Sequence, residues 1–82
     1  MKLPRDISGP ELVALLKPLG YEVVRQTGSH ARLASQTGPT EHHITIPLHS
    51  SIRVGTLSSI LRQVAAHLAI SQEELVERLF GR

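Results

Sequence analysis

The sequence predicts an α+β domain in which helices cover one face of a three-stranded antiparallel sheet. Three observations indicate this class: a capped amphipathic helix comes first, three short β-forming segments follow, and two further helical segments come last. Helices packed on one side of an antiparallel sheet form a two-layer architecture. Because 82 residues provide one hydrophobic core and not two, we expect residues 1–82 to form a single domain.

The first helix is predicted to begin after Ser8. Ser8 and Glu11 have the spacing of a capping box, in which each side chain binds the backbone N–H of the other residue. The apolar residues that follow at helical spacing are Leu12, Leu15, Leu16 and Leu19. Pro18 should tighten the last turn, and Gly20 should end the helix in the left-handed conformation.

Three strands are predicted next. They cover residues 21–26, 29–35 and 41–46. Thr27 and Gly28 form a turn between the first two strands, residues 36–40 form a second turn, and Pro47 closes the third strand. The short connections make the three strands antiparallel.

Alternation along the strands predicts one apolar face and one polar face, since successive strand residues point to opposite sides. The apolar face should contain Ala31, Leu33, Ile44 and Ile46. The polar face should contain His30, Arg32, Glu41, His43 and Thr45. Helices would cover the first face and leave the second open.

Two helices complete the predicted order, which is αβββαα. From Thr56, apolar residues recur at every step expected of an amphipathic helix. These residues are Leu57, Ile60, Leu61, Val64, Ala65 and Leu68. Ser71 and Glu74 repeat the capping-box pattern, so a last helix should run to about Phe80.

Composition limits where the protein acts and what it binds. The chain has no cysteine, and its longest apolar run, residues 12–16, is far shorter than a membrane span. We therefore expect a cytoplasmic protein. The net charge is +2. The basic part is the middle of the chain, where Glu41 is the single acid and there are four arginines, Arg25, Arg32, Arg53 and Arg62. This excess favours an anionic partner.

Several enzyme classes are unlikely from the residue inventory. Asp6 is the only aspartate, so a carboxylate cluster for magnesium is not expected. Ser29 and His30 are neighbours on a strand and should point to opposite faces, which disfavours a serine hydrolase. The same alternation separates His42 from His43, so we predict no metal site.

An imidazole and a guanidinium remain as candidate catalytic groups. His30 and Arg32 are two residues apart on one strand and share a face, with His43 as a possible neighbour across the sheet. RNA cleavage requires a base for the 2′-hydroxyl, donors for the phosphorane oxygens and an acid for the leaving oxygen. Histidine and arginine supply these functions. The alternative is that His30 is a solvated surface residue.

Three motifs in order resemble one family. They are Gly28-Ser29-His30, Ile46-Pro47-Leu48-His49 and Gly55-Thr56-Leu57-Ser58-Ser59-Ile60-Leu61. Their order and spacing resemble the HicA toxins of bacterial and archaeal toxin–antitoxin pairs. The resemblance implies a fold similar to a double-stranded-RNA-binding domain and cleavage of messenger RNA without a metal or cofactor. It also implies a HicB-type antitoxin that binds the toxin and masks its site.

The resemblance assigns catalysis to His30, the histidine of the Gly-Ser-His motif. The substrate-binding residues predicted around it are Gly28, Ser29, Arg32, His49 and Arg53. For His49, a phosphate contact or a supporting role competes with simple loop packing. For Gly55 and Thr56, N–H groups at a helix start could bind phosphate, although ordinary capping explains the same residues.

Three other functions compete with a ribonuclease. A non-catalytic RNA-binding module is disfavoured because Tyr21 and Phe80 are the only aromatic residues, too few for a base-stacking platform. A DNA-binding helix-turn-helix is disfavoured because its recognition helix would begin with Glu73 and Glu74, which repel phosphates. A protein-interaction module is the third alternative.

Overall fold

The predicted α+β architecture and element order are confirmed by a computed structural model, which describes residues 3–37 and 40–81. Helix α1 is Gly9–Leu16 and continues into a 3₁₀ turn at Lys17–Leu19. Strand β1 is Tyr21–Thr27, β2 is His30–Ser35 and β3 is His42–Pro47. Helix α2 is Val54–Leu68 and α3 is Gln72–Phe80. In the second predicted turn, Gly38 and Pro39 lie outside the described residues.

The start and end of α1 are as predicted. The Ser8 N–H donates to Glu11 Oε1 at 2.9 Å, and the Glu11 N–H donates to Ser8 Oγ at 3.1 Å, which completes the capping box. These hydrogen bonds lower the pKa of the Glu11 carboxyl. Pro18 lies in the 3₁₀ turn, and Gly20 ends it with a φ of 99°.

The strands form one antiparallel sheet in the order β1-β2-β3. The four residues predicted on the apolar face, Ala31, Leu33, Ile44 and Ile46, are at most 4% exposed. They belong to one hydrophobic core with the buried leucines of α1 and α2, among them Leu12, Leu16, Leu57 and Leu61. The residues predicted on the other face, His30, Arg32, Glu41, His43 and Thr45, are exposed. The separation of faces is confirmed.

Strand β1 departs from strict alternation at Val24. Val23 pairs with Leu33, the next paired residue is Arg25 opposite Arg32, and Val24 between them is a β-bulge. A bulge adds one residue to a strand and reverses which side the later side chains face. Arg25 therefore lies on the outer face of the sheet, and Val24 is 56% exposed.

Helix α2 begins two residues earlier than predicted. Its N-cap is Arg53, which makes no side-chain capping bond, and Gly55 and Thr56 lie inside the first turn. The interpretation of Gly55 and Thr56 as an ordinary cap is therefore wrong. No capping signal marks the true start, because arginine is not a capping residue.

Helix α3 begins as predicted but with half of the expected cap. The Ser71 hydroxyl accepts from the Glu74 N–H at 3.0 Å, while the Glu74 carboxylate accepts from Arg78 Nη2 at 2.7 Å. Leu75 is fully buried, so α3 contributes to the same core as the sheet. None of the helices in residues 3–37 and 40–81 has the length and hydropathy needed to cross a bilayer.

A cluster of polar rings joins the sheet to α2 on the inner side. The Tyr21 hydroxyl and His42 Nδ1 are hydrogen-bonded at 2.7 Å, and the His42 ring stacks on His67 at 4.8 Å between centroids. Burial raises the pKa of Tyr21 to about 12. Burial, and then the charges of His67 and His43, lower the pKa of His42. The cluster lies at the opposite end of β2 from His30, since His42 pairs with Ser35.

Candidate active site

A tight turn presents His30 as the first residue of β2. Gly28 has a φ of 54°, in the left-handed region that favours glycine, and a Cβ built there would meet nothing within 4 Å. The backbone conformation, and not a lack of space, is therefore the reason for glycine. His30 is exposed, and its strand neighbours are Thr27 and Pro47, neither of which titrates.

The loop between β3 and α2 is tied to the rest of the site by its backbone. The Leu48 N–H donates to the Ser29 carbonyl at 2.6 Å, the Gly9 N–H donates to the His49 carbonyl at 2.9 Å, and the Ile52 N–H donates to the Ile7 carbonyl at 2.8 Å. These bonds hold the loop against both the β1–β2 turn and the start of α1.

Gly9 permits the close approach of α1 to this loop. A Cβ at Gly9 would lie 2.1 Å from the Pro47 carbonyl oxygen and 2.6 Å from the Leu48 Cα, distances that backbone atoms cannot accommodate without moving. The first residue of α1 therefore fixes where the loop begins. This role of Gly9 was not predicted from the sequence.

The result is that His49 faces His30. Their ring centroids are 6.4 Å apart with an interplanar angle of 62°, an edge-to-face arrangement. Both side chains are exposed. The structure thus brings together two histidines that the sequence placed in separate motifs.

Positive charge lies beside these rings on the outer face. Arg32 is two residues after His30 on β2 and faces Arg25 across the β1–β2 pair. Like charges directly opposite one another on a sheet are unfavourable, so this pair makes the middle of the outer face suited to an anion. Arg53, also exposed, follows the His49 loop at the N-cap of α2.

The possible placement of His43 beside His30 is wrong. His43 pairs with Ala34, whereas His30 pairs with Pro47, so the two histidines lie at opposite ends of the β2–β3 pair. His43 Nε2 is 3.3 Å from Glu41 Oε1, and this hydrogen bond is the largest of the contacts that lower the pKa of Glu41.

His42 and His43 lie on opposite faces of β3, as alternation predicts. His42 contacts Tyr21 and His67 on the inner side, and His43 pairs with Glu41 on the outer side. Within residues 3–37 and 40–81, no three or more His, Asp or Glu side chains converge as a metal ion would require.

The position of Arg25 in the site was not predicted from the sequence. Uninterrupted alternation from Tyr21 would place Arg25 on the inner face, and no residue in β1 marks the bulge at Val24. The closeness of His30 and His49 had a signal, because antiparallel pairing of β2 with β3 places Pro47 opposite His30. Predicting this closeness requires the register of β2 against β3, which the residue pattern of each strand alone does not give.

Comparison with known proteins identifies the family. A family model described as the HicA toxin of bacterial toxin–antitoxin systems matches residues 9–65. No curated protein and no solved structure gives a significant match. The matched segment runs from the start of α1 into α2 and contains both histidine motifs, and the arrangement of helices and strands is compatible with a double-stranded-RNA-binding-domain fold. Because the match covers more than half of the sequence, the chain belongs to the HicA family of bacterial toxins that are paired with antitoxins.

Proposed function

We propose that this toxin is a ribonuclease that cleaves messenger RNA without a metal ion, with His30 as a general acid–base catalyst. The observation that carries the proposal is the exposed imidazole of His30 on the same open sheet face as Arg32 and Arg25. Cleavage of messenger RNA explains how a toxin of this family stops translation and growth. We place this activity in the cytoplasm and assign it to residues 1–82 as one domain.

The chemistry fits the groups present. An imidazole with an ordinary pKa of about 6.5 can accept or donate a proton near neutrality, and such a group contributes about 10²–10⁴-fold to a rate. A guanidinium beside it stabilises the negative charge that develops on the phosphorane oxygens. Arg32 is the nearest arginine to His30 along the strand and takes this role.

The remaining predicted residues line the path of the RNA backbone. Gly28 and Ser29 form the turn that presents His30, and the Ser29 carbonyl holds the His49 loop in place. His49 faces the catalytic ring, and Arg53 lies beyond it at the start of α2. In this proposal, Arg53 and Arg32 contact phosphates on either side of the cleaved bond.

The antitoxin proposed as partner is a HicB-type protein that covers the outer face of the sheet. That face carries His30 and Arg32, and the helices of the described chain pack on the other side. An acidic surface on the partner would neutralise the Arg25–Arg32 pair and exclude RNA from His30.

Replacement of His30 tests the proposal. In buffer containing EDTA, the wild-type protein should cleave RNA, and His30→Ala should lower kcat/KM by about 10²-fold or more. Growth arrest on expression should disappear in the same variant. His43→Ala is the matched control, because His43 is also an exposed strand histidine but lies at the far end of the β2–β3 pair.

Folding and partner binding must persist for the assignment to hold. His30 is exposed and is not a member of the hydrophobic core, so His30→Ala should keep the wild-type circular dichroism spectrum and bind the antitoxin. Intact RNA after incubation with the wild-type protein would contradict the proposal and favour a non-catalytic RNA-binding module. Equal activity of His30→Ala and wild type would remove His30 from the mechanism.

A further inference from the structure

We propose that His49 is the second proton-transfer group of this site, so that His30 and His49 act as an acid–base pair across the scissile phosphate. The inference rests on the proposed ribonuclease activity. It assigns a chemical step to His49, whose role the sequence left open between a phosphate contact, a supporting residue and loop packing.

The distance between the rings suits a group held between them. A direct N–H···N hydrogen bond requires the two nitrogens within about 3.2 Å, and rings whose centroids are 6.4 Å apart leave a gap wider than that. The rings also meet edge to face, at 62°. In this proposal, one nitrogen of each ring contacts a different oxygen of the same phosphodiester.

The backbone around His49 is fixed in advance. The carbonyl of His49 itself accepts from Gly9, and the residues Leu48 and Ile52 on either side donate to Ser29 and Ile7. A catalytic group on an anchored backbone loses little freedom when substrate binds, which favours reaction. A histidine that served only to fill a loop would be buried, whereas His49 is exposed.

The other histidines are engaged elsewhere. His42 and His67 stack on one another on the inner side of the sheet. His43 pairs with Glu41 on the outer face, at the end of the β2–β3 pair away from His30. Arginine does not deprotonate in proteins, so Arg32 and Arg25 supply charge but not proton transfer.

The charged groups on the segment that packs against the His49 loop are Arg5, Asp6 and Glu11. The Glu11 carboxylate is held by the Ser8 N–H. Asp6 precedes Ile7, whose carbonyl accepts from Ile52.

The reaction balances with these two rings. The neutral imidazole takes the 2′-hydroxyl proton as the 2′-oxygen forms a bond to phosphorus, and the protonated imidazole gives its proton to the 5′-oxygen as the bond from phosphorus to that oxygen breaks. The products are a 2′,3′-cyclic phosphate and a 5′-hydroxyl end. The two rings have then exchanged protonation states, and proton exchange with water restores them.

The test compares pH–rate profiles of the purified full chain on an RNA oligonucleotide in EDTA. The wild-type profile of kcat should be bell-shaped, because one ring must be neutral and the other protonated. His49→Ala and His49→Gln should each lower kcat by about 10²-fold and lose one limb of the bell. His43→Ala should keep both limbs and the wild-type rate.

A modified substrate identifies which ring is the acid. RNA with sulfur in place of the bridging 5′-oxygen has a leaving group that departs without protonation. On this substrate, the variant that lacks the acid should approach the wild-type rate, and the variant that lacks the base should stay slow. We expect rescue of one of the two variants His30→Ala and His49→Ala, and rescue of neither would overturn the pairing.

The outcomes separate this inference from the proposed function. A wild-type protein that does not cleave RNA overturns both. An active wild type with inactive His30→Ala, together with a His49→Ala whose kcat falls by less than about tenfold or keeps both limbs, overturns this inference alone. Activity retained by His49→Gln also overturns it, because glutamine keeps hydrogen bonding without proton transfer.

Discussion

Gly28 and Gly55 both lie near the site, but the backbone requires glycine at only one of the two positions. Neither would bring a Cβ within 4 Å of other atoms, so space does not distinguish them. Gly28 has a φ of 54°, which costs any other residue backbone strain, whereas Gly55 lies in the first turn of α2. Only Gly28 is therefore required by its conformation.

Alanine at each position tests this distinction. Gly28→Ala should lower the free energy of unfolding by about 1–2 kcal/mol, the cost of the left-handed conformation. Gly55→Ala should leave it unchanged or raise it by up to about 1 kcal/mol, since alanine favours helix. Urea unfolding measures both, and equal destabilisation by the two variants would contradict the argument.

At the level of single residues, the sequence predicted the position of His30 better than the positions of the residues around it. Its exposure and its shared face with Arg32 follow from strand alternation and are confirmed, whereas its catalytic role rests on the Gly-Ser-His motif and stays a proposal. The position of Arg25 could not be predicted, because a bulge depends on how two strands fit together. The approach of His49 depends on hydrogen bonds to Gly9 and Ser29 that no local pattern encodes.

The bulge in β1 determines the charge of the outer face. Val24 is the additional residue, and the pairs on either side of it, Val23 with Leu33 and Arg25 with Arg32, are regular. Deletion of one residue at the bulge should therefore restore a continuous pair of strands without changing the register elsewhere.

Two deletions make a matched test of this element. Deletion of Val24 should keep Arg25 opposite Arg32 and keep the affinity for RNA. Deletion of Arg25 should place Val24 opposite Arg32 and weaken binding, with the slope of log affinity against log salt reduced by up to about 0.7 for single-stranded RNA. Filter binding at several salt concentrations measures the slope. The same loss in both variants would show that the bulge itself, and not the arginine, matters.

Elements with strong local signals were predicted well. The capping box and Gly20 place α1, and the apolar spacing places most of α2. The start of α2 was misplaced because Arg53 carries no capping signature. The boundaries of the strands differ from the predicted ones by at most one residue, since turn residues and strand residues overlap in character.

The stability of the whole molecule should depend on pH through the ring cluster between the sheet and α2. The pKa of His42 is lowered from 6.5 in the folded protein, so the unfolded chain binds more protons as pH falls below about 6.5. The contribution of neutral His42 to the free energy of unfolding is therefore fully present above that pH and decreases below it. We expect unfolding midpoints in urea to fall between about pH 7 and pH 5.

Replacement of His42 should flatten this dependence. His42→Gln removes the titrating group and keeps a polar partner for Tyr21, whereas the control His49→Gln changes an exposed histidine. The carboxyls with lowered pKa, Glu11 and Glu41, contribute only as pH falls through and below 4.5. An unchanged slope in His42→Gln above about pH 5 would assign the effect to another group.

The fold as a whole was predictable because its patterns agree with one another. Apolar residues recur with the period of a strand in the sheet and of a helix in α2, and both sets meet in one core. The matched family segment ends at residue 65, yet Leu75 of α3 is fully buried in that core. The last helix is therefore part of the same cooperative structure.

The hydrogen bonds from Ile7 and Gly9 to the His49 loop have a consequence for synthesis. They join the beginning of the chain to a segment that the ribosome makes only after the entire sheet. A nascent chain that has emerged only as far as His30 contains Ile7 and Gly9 but not yet His49, so the proposed pair of imidazoles cannot form. If the proposed mechanism holds, a truncated product that ends within the sheet has no complete site, and RNA cleavage begins only after translation has passed Ile52.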